Sequence, residues 1–78
     1  MDRFEDFTFS NEADAWLVSA FDVEKEDRVI LRVAFWELVA MAKEHYGMNK
    51  SEATIHIGIC ETEEEDKLLK LLFIERMT

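Results

Sequence analysis

Apolar residues recur at Ala13, Trp16, Leu17, Ala20 and Phe21, spacings of three and four that predict an amphipathic helix, with Ser10 or Asn11 as its capping residue. Asp22 opens a second predicted helix from about Val23 to Tyr46, with a chain that continues straight through Asp22 as the alternative. Its early Glu24, Glu26 and Asp27 suit the positive end of the helix dipole, and Gly47 marks its end. Ahead of both, the Phe7-Thr8-Phe9 alternation suits a short strand, although Phe4 falls out of its period. After a Met48–Ser51 loop, Ala53 to Cys60 alternates strictly, with Ile55, Ile57 and Ile59 on one face and Thr54, His56, Gly58 and Cys60 on the other, the pattern of a strand. Thr62 to Glu65 shows a capping-box pattern and leads a helix from about Glu63 to Met77, with a strand over Lys67 to Ile74 as the alternative. The expected fold is α+β and mostly helical: one small domain over residues 1–78, with about three helices and one or two short strands in the order (β)-α-α-β-α.

The second predicted helix has two apolar faces. At ~100° per residue, Arg28, Arg32 and Lys43 share one stripe and Glu26, Glu37 and Glu44 another. A broad face between them holds Ile30, Leu31, Ala34, Phe35, Leu38, Met41 and Ala42. A narrow face holds Val29, Val33, Trp36 and Ala40, with the four-three-four spacing of a coiled-coil seam. Two readings stand open: a central helix sandwiched between neighbours, or a narrow face that meets another chain with Trp36 as its anchor. Leu68, Leu69, Leu71, Leu72, Phe73, Ile74 and Met77 nearly encircle the last helix, more apolar surface than a chain of 78 residues easily buries. The lone predicted strand also needs a partner, either residues 4–9 or the same strand of a second copy. A homodimer or obligate complex is therefore expected ahead of a self-sufficient monomer.

Composition narrows the class. Hydrophobic residues make up 49% of the chain, enough for a packed core, and the absence of proline favours helix. Eighteen acids against nine bases give a net charge of −9, which argues against direct binding to nucleic acid or an anionic membrane. One cysteine cannot form an internal disulfide and fits a reducing compartment. No basic-then-apolar leader and no apolar run near ~20 residues is visible, so a cytoplasmic location is expected. The charge is uneven: residues 1–27 carry −7, residues 28–60 carry +1 and residues 61–78 carry −3. Asp2, Glu5, Asp6, Glu12 and Asp14 in the first third, and Glu63, Glu64, Glu65 and Asp66 after Glu61, are the candidate acidic contacts. They form either a solvated surface or one presented to a basic protein partner, where it would occupy a nucleic-acid-binding groove by imitating phosphate charge.

Catalytic chemistry finds little support. On a strand, His56 and Cys60 would lie ~13 Å apart at ~3.3 Å per residue, beyond the reach of a nucleophile and its base. One cysteine and two histidines lack zinc spacing, and the acidic run lacks the turn glycine of a calcium loop. With glycine only at 47 and 58, no phosphate-cradling loop is possible, and no cofactor is expected. The expectation is a small acidic protein-binding domain, not an enzyme, acting as an inhibitor of a partner with a basic or nucleic-acid-binding surface. Phage-encoded inhibitors, DNA mimics and anti-CRISPR proteins share this profile of size and acidity, though no motif identifies a family. The alternative is a structural or regulatory oligomerisation module, or a small subunit of a larger assembly.

Overall fold

A computed structural model describes residues 2–59 and 62–78. Three strands precede three helices: β1 Phe4–Asn11, β2 Ala15–Asp22, β3 Asp27–Ala34, α1 Phe35–Tyr46, α2 Lys50–Ile59 and α3 Thr62–Met77. The strands form one antiparallel meander in the order β1-β2-β3. The mostly helical (β)-α-α-β-α expectation is thereby overturned. Cys60 and Glu61, which end the expected strand and begin the acidic run, lie outside the described residues.

The stretch read as one helix and half of another is instead a hairpin. Trp16, Val18, Ala20 and Asp22 share one face of β2 and pair with Val33, Leu31, Val29 and Asp27 of β3. As the central strand, β2 carries apolar side chains on both faces, with Leu17 and Phe21 on the second. That two-sided apolar run also satisfies a helical period, and nothing local separates the two. Asp22 still uses capping chemistry, but in a turn: its Oδ1 accepts the N–H groups of Glu24 and Lys25 at 3.0 and 3.3 Å. Glu26 completes the reversal with a φ of 54°.

The misfit of Phe4 has a structural cause. Pairing runs from Glu5↔Phe21 to Thr8↔Ser19, so β1 spends one residue more than β2, and Asp6 takes a φ of 56°. This bulge returns Phe4 and Phe7 to the same side. Both then meet Phe73 of α3 edge-on, at ring-centroid distances of 5.1 and 5.4 Å.

All the helices lie on that side. α3 packs on β1 and β2, α1 on β3, and α2 on α1. One core joins Phe4, Val18, Ala20 and Val33 of the sheet to Leu38, Val39 and Ala42 of α1 and Leu69, Leu72 and Phe73 of α3. Glu37 accepts the Ala34 N–H at 2.7 Å, closing the first turn of α1, and also binds Arg76 of α3. Although burial pushes its carboxyl upward, these two partners hold it below the usual range. Gly47, at a φ of 64°, ends α1 where the sequence places it.

α2 replaces the strand expected at 53–60. Asn49 Oδ1 accepts the Glu52 N–H at 2.9 Å and Glu52 returns the bond to the Asn49 N–H at 3.2 Å. This reciprocal cap starts a helix inside the presumed loop. Ala53 and Ile57, one turn apart, face the core, whereas Ile55 stays 61% exposed. The need of a lone strand for a second chain disappears with the strand. α3 lies where its capping pattern puts it, and it buries Leu68, Leu69, Leu72 and Phe73 while Leu71 and Ile74 remain exposed.

Candidate functional site

The sheet face away from the helices is spanned by two arginines of β3. Arg28 donates to Ser19 Oγ on β2 at 2.8 Å and reaches Asp6 on β1 at 3.0 Å. Arg32 reaches the β1–β2 turn, 3.0 Å from Asp14 and 3.5 Å from Glu12. Arg3 likewise holds Asp22 and Glu24. Five of the nine acids in the first third are therefore paired within the chain. Asp2 and Glu5 stay exposed with no ion pair among the described residues. The N-terminal acids are thus divided between internal ties and solvent, and do not form one free anionic array.

A different grouping emerges at the hairpin tip. The Phe35 N–H donates to the Asp14 carbonyl at 2.9 Å, which fixes the tip against the start of α1. Between the tip and the helices runs an open groove of 590 Å³. Glu12 and Asp14 lie on one side, Trp16, Phe35 and Trp36 form aromatic walls, and Glu65 of α3 enters beside Gly58. Two acidic segments fifty residues apart in sequence thereby converge. No cation of the chain pairs with Glu65 among the described residues. Burial foremost, and then the neighbouring Asp66, push its carboxyl above the usual range.

That shift predicts a pH signature. A carboxyl raised in the folded state costs stability when charged, so the folded chain gains stability as pH falls through the raised value toward the unfolded one. Glu65→Gln is expected to stabilise the protein at neutral pH, within about 0.5 kcal/mol because the site is partly solvated. Thermal melts between pH 4 and 7 should show the two proteins converging toward acid. A variant less stable than the parent at pH 7 would contradict this.

The rest of the acidic run lies around the same end. Glu63 pairs with Lys67 at 3.6 Å, and Glu64 approaches His56 Nε2 at 3.6 Å; Glu63 and Glu64 are exposed, and Asp66 is half-buried. The apolar seam does not exist as one helical face. Val29 and Val33 belong to β3 and turn toward the helices, half-buried and buried respectively, while Trp36 and Ala40 belong to α1 and are exposed. Trp36, 59% exposed, separates the acidic groove from a smaller hollow of 220 Å³ formed with Val39, Ala40, Lys43 and Lys50. Lys50 Nζ stands 5.2 Å from the indole centre. Sequence reasoning missed Trp16, Phe35, Lys43 and Lys50, and no local signal joins them. His56 lies on a helix, so the strand spacing used to separate it from Cys60 no longer applies, and Cys60 itself is outside the described residues.

No helix among the described residues is long and apolar enough to cross a membrane. No family model matches the chain, and no curated protein or solved structure matches it.

Proposed function

We propose that this chain is a small, non-catalytic, cytoplasmic protein-binding domain that acts as an inhibitor, laying its acidic end on a basic or nucleic-acid-binding surface of a partner protein. The observation that carries this reading is the convergence of Glu12 and Asp14 with the start of α3, which places Glu63, Glu64, Glu65 and Asp66 at the same end of the molecule. Opposite charge at such a pole steers encounter and favours basic surfaces over others. The arginine ties narrow the proposal: Asp6, Glu12 and Asp14 help to hold the sheet, so the partner contacts centre on Glu63, Glu64 and Asp66, of which Glu63 is engaged among the described residues only by an exposed one-turn pair with Lys67 that a partner can replace.

Affinity capture from host cells, followed by titration of the purified partner, tests it. A basic partner should bind at low salt, lose affinity steeply as salt rises, and bind at least tenfold more weakly to a Glu63→Ala, Glu64→Ala, Asp66→Ala variant whose circular dichroism is unchanged. Salt-independent binding that the triple variant retains would overturn the reading. An oligomerisation module is the second reading, favoured by the exposure of Trp36.

A further inference from the structure

We infer that the face around Trp36 docks on the same face of a second copy of this chain, with Lys43 and Lys50 of each copy set against Glu65 of the other. This goes beyond the partner-binding role proposed above, rests on the oligomerisation reading, and uses a different acid, since Glu63, Glu64 and Asp66 do not line the groove and Glu12 and Asp14 are held by Arg32.

Three observations meet on this face. Trp36 is a large aromatic side chain left mostly in solvent, whereas tryptophan is enriched where interfaces concentrate their energy. On one side of the indole is the acidic groove, whose Glu65 no cation of its own chain reaches among the described residues. On the other side are Lys43 and Lys50, neither of which forms an ion pair among the described residues. Within one copy the indole stands between these opposite charges.

The order of charges selects the occupant. A uniformly basic partner would satisfy the groove and leave Lys43 and Lys50 facing like charge. A uniformly acidic partner would do the reverse. The face needs a surface that carries both signs in reversed order about a central apolar contact. A second copy related by a two-fold axis near Trp36 supplies it, because in such an interface residue i meets j and j meets i. The chains also repel through their net charge of −9 each. At physiological salt the Debye length is about 8 Å, so distant charges are screened and the apposed ones dominate.

Charge complementation tests the inference on the full chain. Sedimentation at about 150 mM salt over a range of protein concentrations should show a reversible dimer. Lys43→Glu with Lys50→Glu should weaken it at least tenfold, and so should Glu65→Lys, because each variant sets like charges against each other in its own homodimer. Mixing these two variants should restore dimer, since both halves of the mixed interface then pair opposite charges. Trp36→Ser should also yield monomer while retaining the circular dichroism of the parent. A parent protein that stays monomeric at every concentration would overturn the inference, and so would variants that dimerise as the parent does or a mixture that stays monomeric. The triple variant at Glu63, Glu64 and Asp66 should dimerise normally, which separates this result from the test of the partner surface.

Discussion

Phe73→Ala is expected to abolish cooperative folding or leave the protein barely stable. Phe73 is fully buried and touches Phe4 and Phe7 edge-on, so one side chain holds α3 to the strand that carries the bulge. Truncating a buried phenylalanine costs about 3–5 kcal/mol through lost transfer energy and the cavity left behind. At ~0.05–0.15 kcal/mol per residue, a chain of this length has about 4–12 kcal/mol in all. β1 is an edge strand, paired only to β2, and so depends on packing against α3 more than β2 does. Urea titration followed by circular dichroism should show no folded baseline for the alanine variant, or a sharply lowered midpoint. Phe73→Leu, which fills most of the space, should retain a cooperative transition. An alanine variant within about 1 kcal/mol of the parent would mean that the aromatic cluster does not carry the β1–α3 contact.

The same cluster shows where sequence pattern stops being sufficient. Gly47 acts within a few residues of itself, so the end of α1 was legible although its start was not, and the helix expected over residues 63–77 was legible as α3. Between residues 13 and 34 the deciding fact is non-local: β2 has a strand on each side, so its two faces are both apolar and its pattern fits two periods. Phe4 could not be assigned a face without the bulge at Asp6, whose existence depends on pairing with β2. For α2 a local signal existed in Asn49 and Glu52, and it outweighed the isoleucine alternation because Ala53 and Ile57, one helical turn apart, enter the core while Ile55 does not. The candidate site was the least legible. Its acids could be counted, but whether an acid is free depends on which strand lies beside it. Arg28 and Arg32 reach Asp6, Glu12 and Asp14 only because β3 folds back beside β2. The placing of Glu65 in one groove with the hairpin tip, and the place of Trp36 between opposite charges, likewise arise from packing.

Asp22 should dominate the response to acid. Its carboxylate is 1% exposed and takes both arms of Arg3, at 3.1 and 2.9 Å, as well as the two N–H groups of the β2–β3 turn. The Arg3 hydrogen bonds foremost, against the cost of burial, hold it below the usual carboxylate range, with the N–H groups of Lys25 and Glu24 adding to the effect. A carboxyl lowered in the folded state contributes stability that is complete above the unfolded value, about 3.9 for aspartate. That contribution drains away as pH falls through the folded value. Asp22→Asn keeps an acceptor for the turn and removes the charge that Arg3 needs. Asp22→Ala removes both and should shift the unfolding equilibrium by about tenfold or more, because it leaves Arg3 and two N–H groups without their acceptor. At pH 7 the order of stability should run parent, asparagine, alanine. Below about pH 4 the parent should fall toward the asparagine variant, whose own residual slope reflects Glu37, a second carboxyl held low among the described residues. Urea midpoints measured from pH 2 to 7 decide the matter: a constant gap between parent and asparagine variant down to pH 2 would show that the Arg3 pair contributes nothing that titrates.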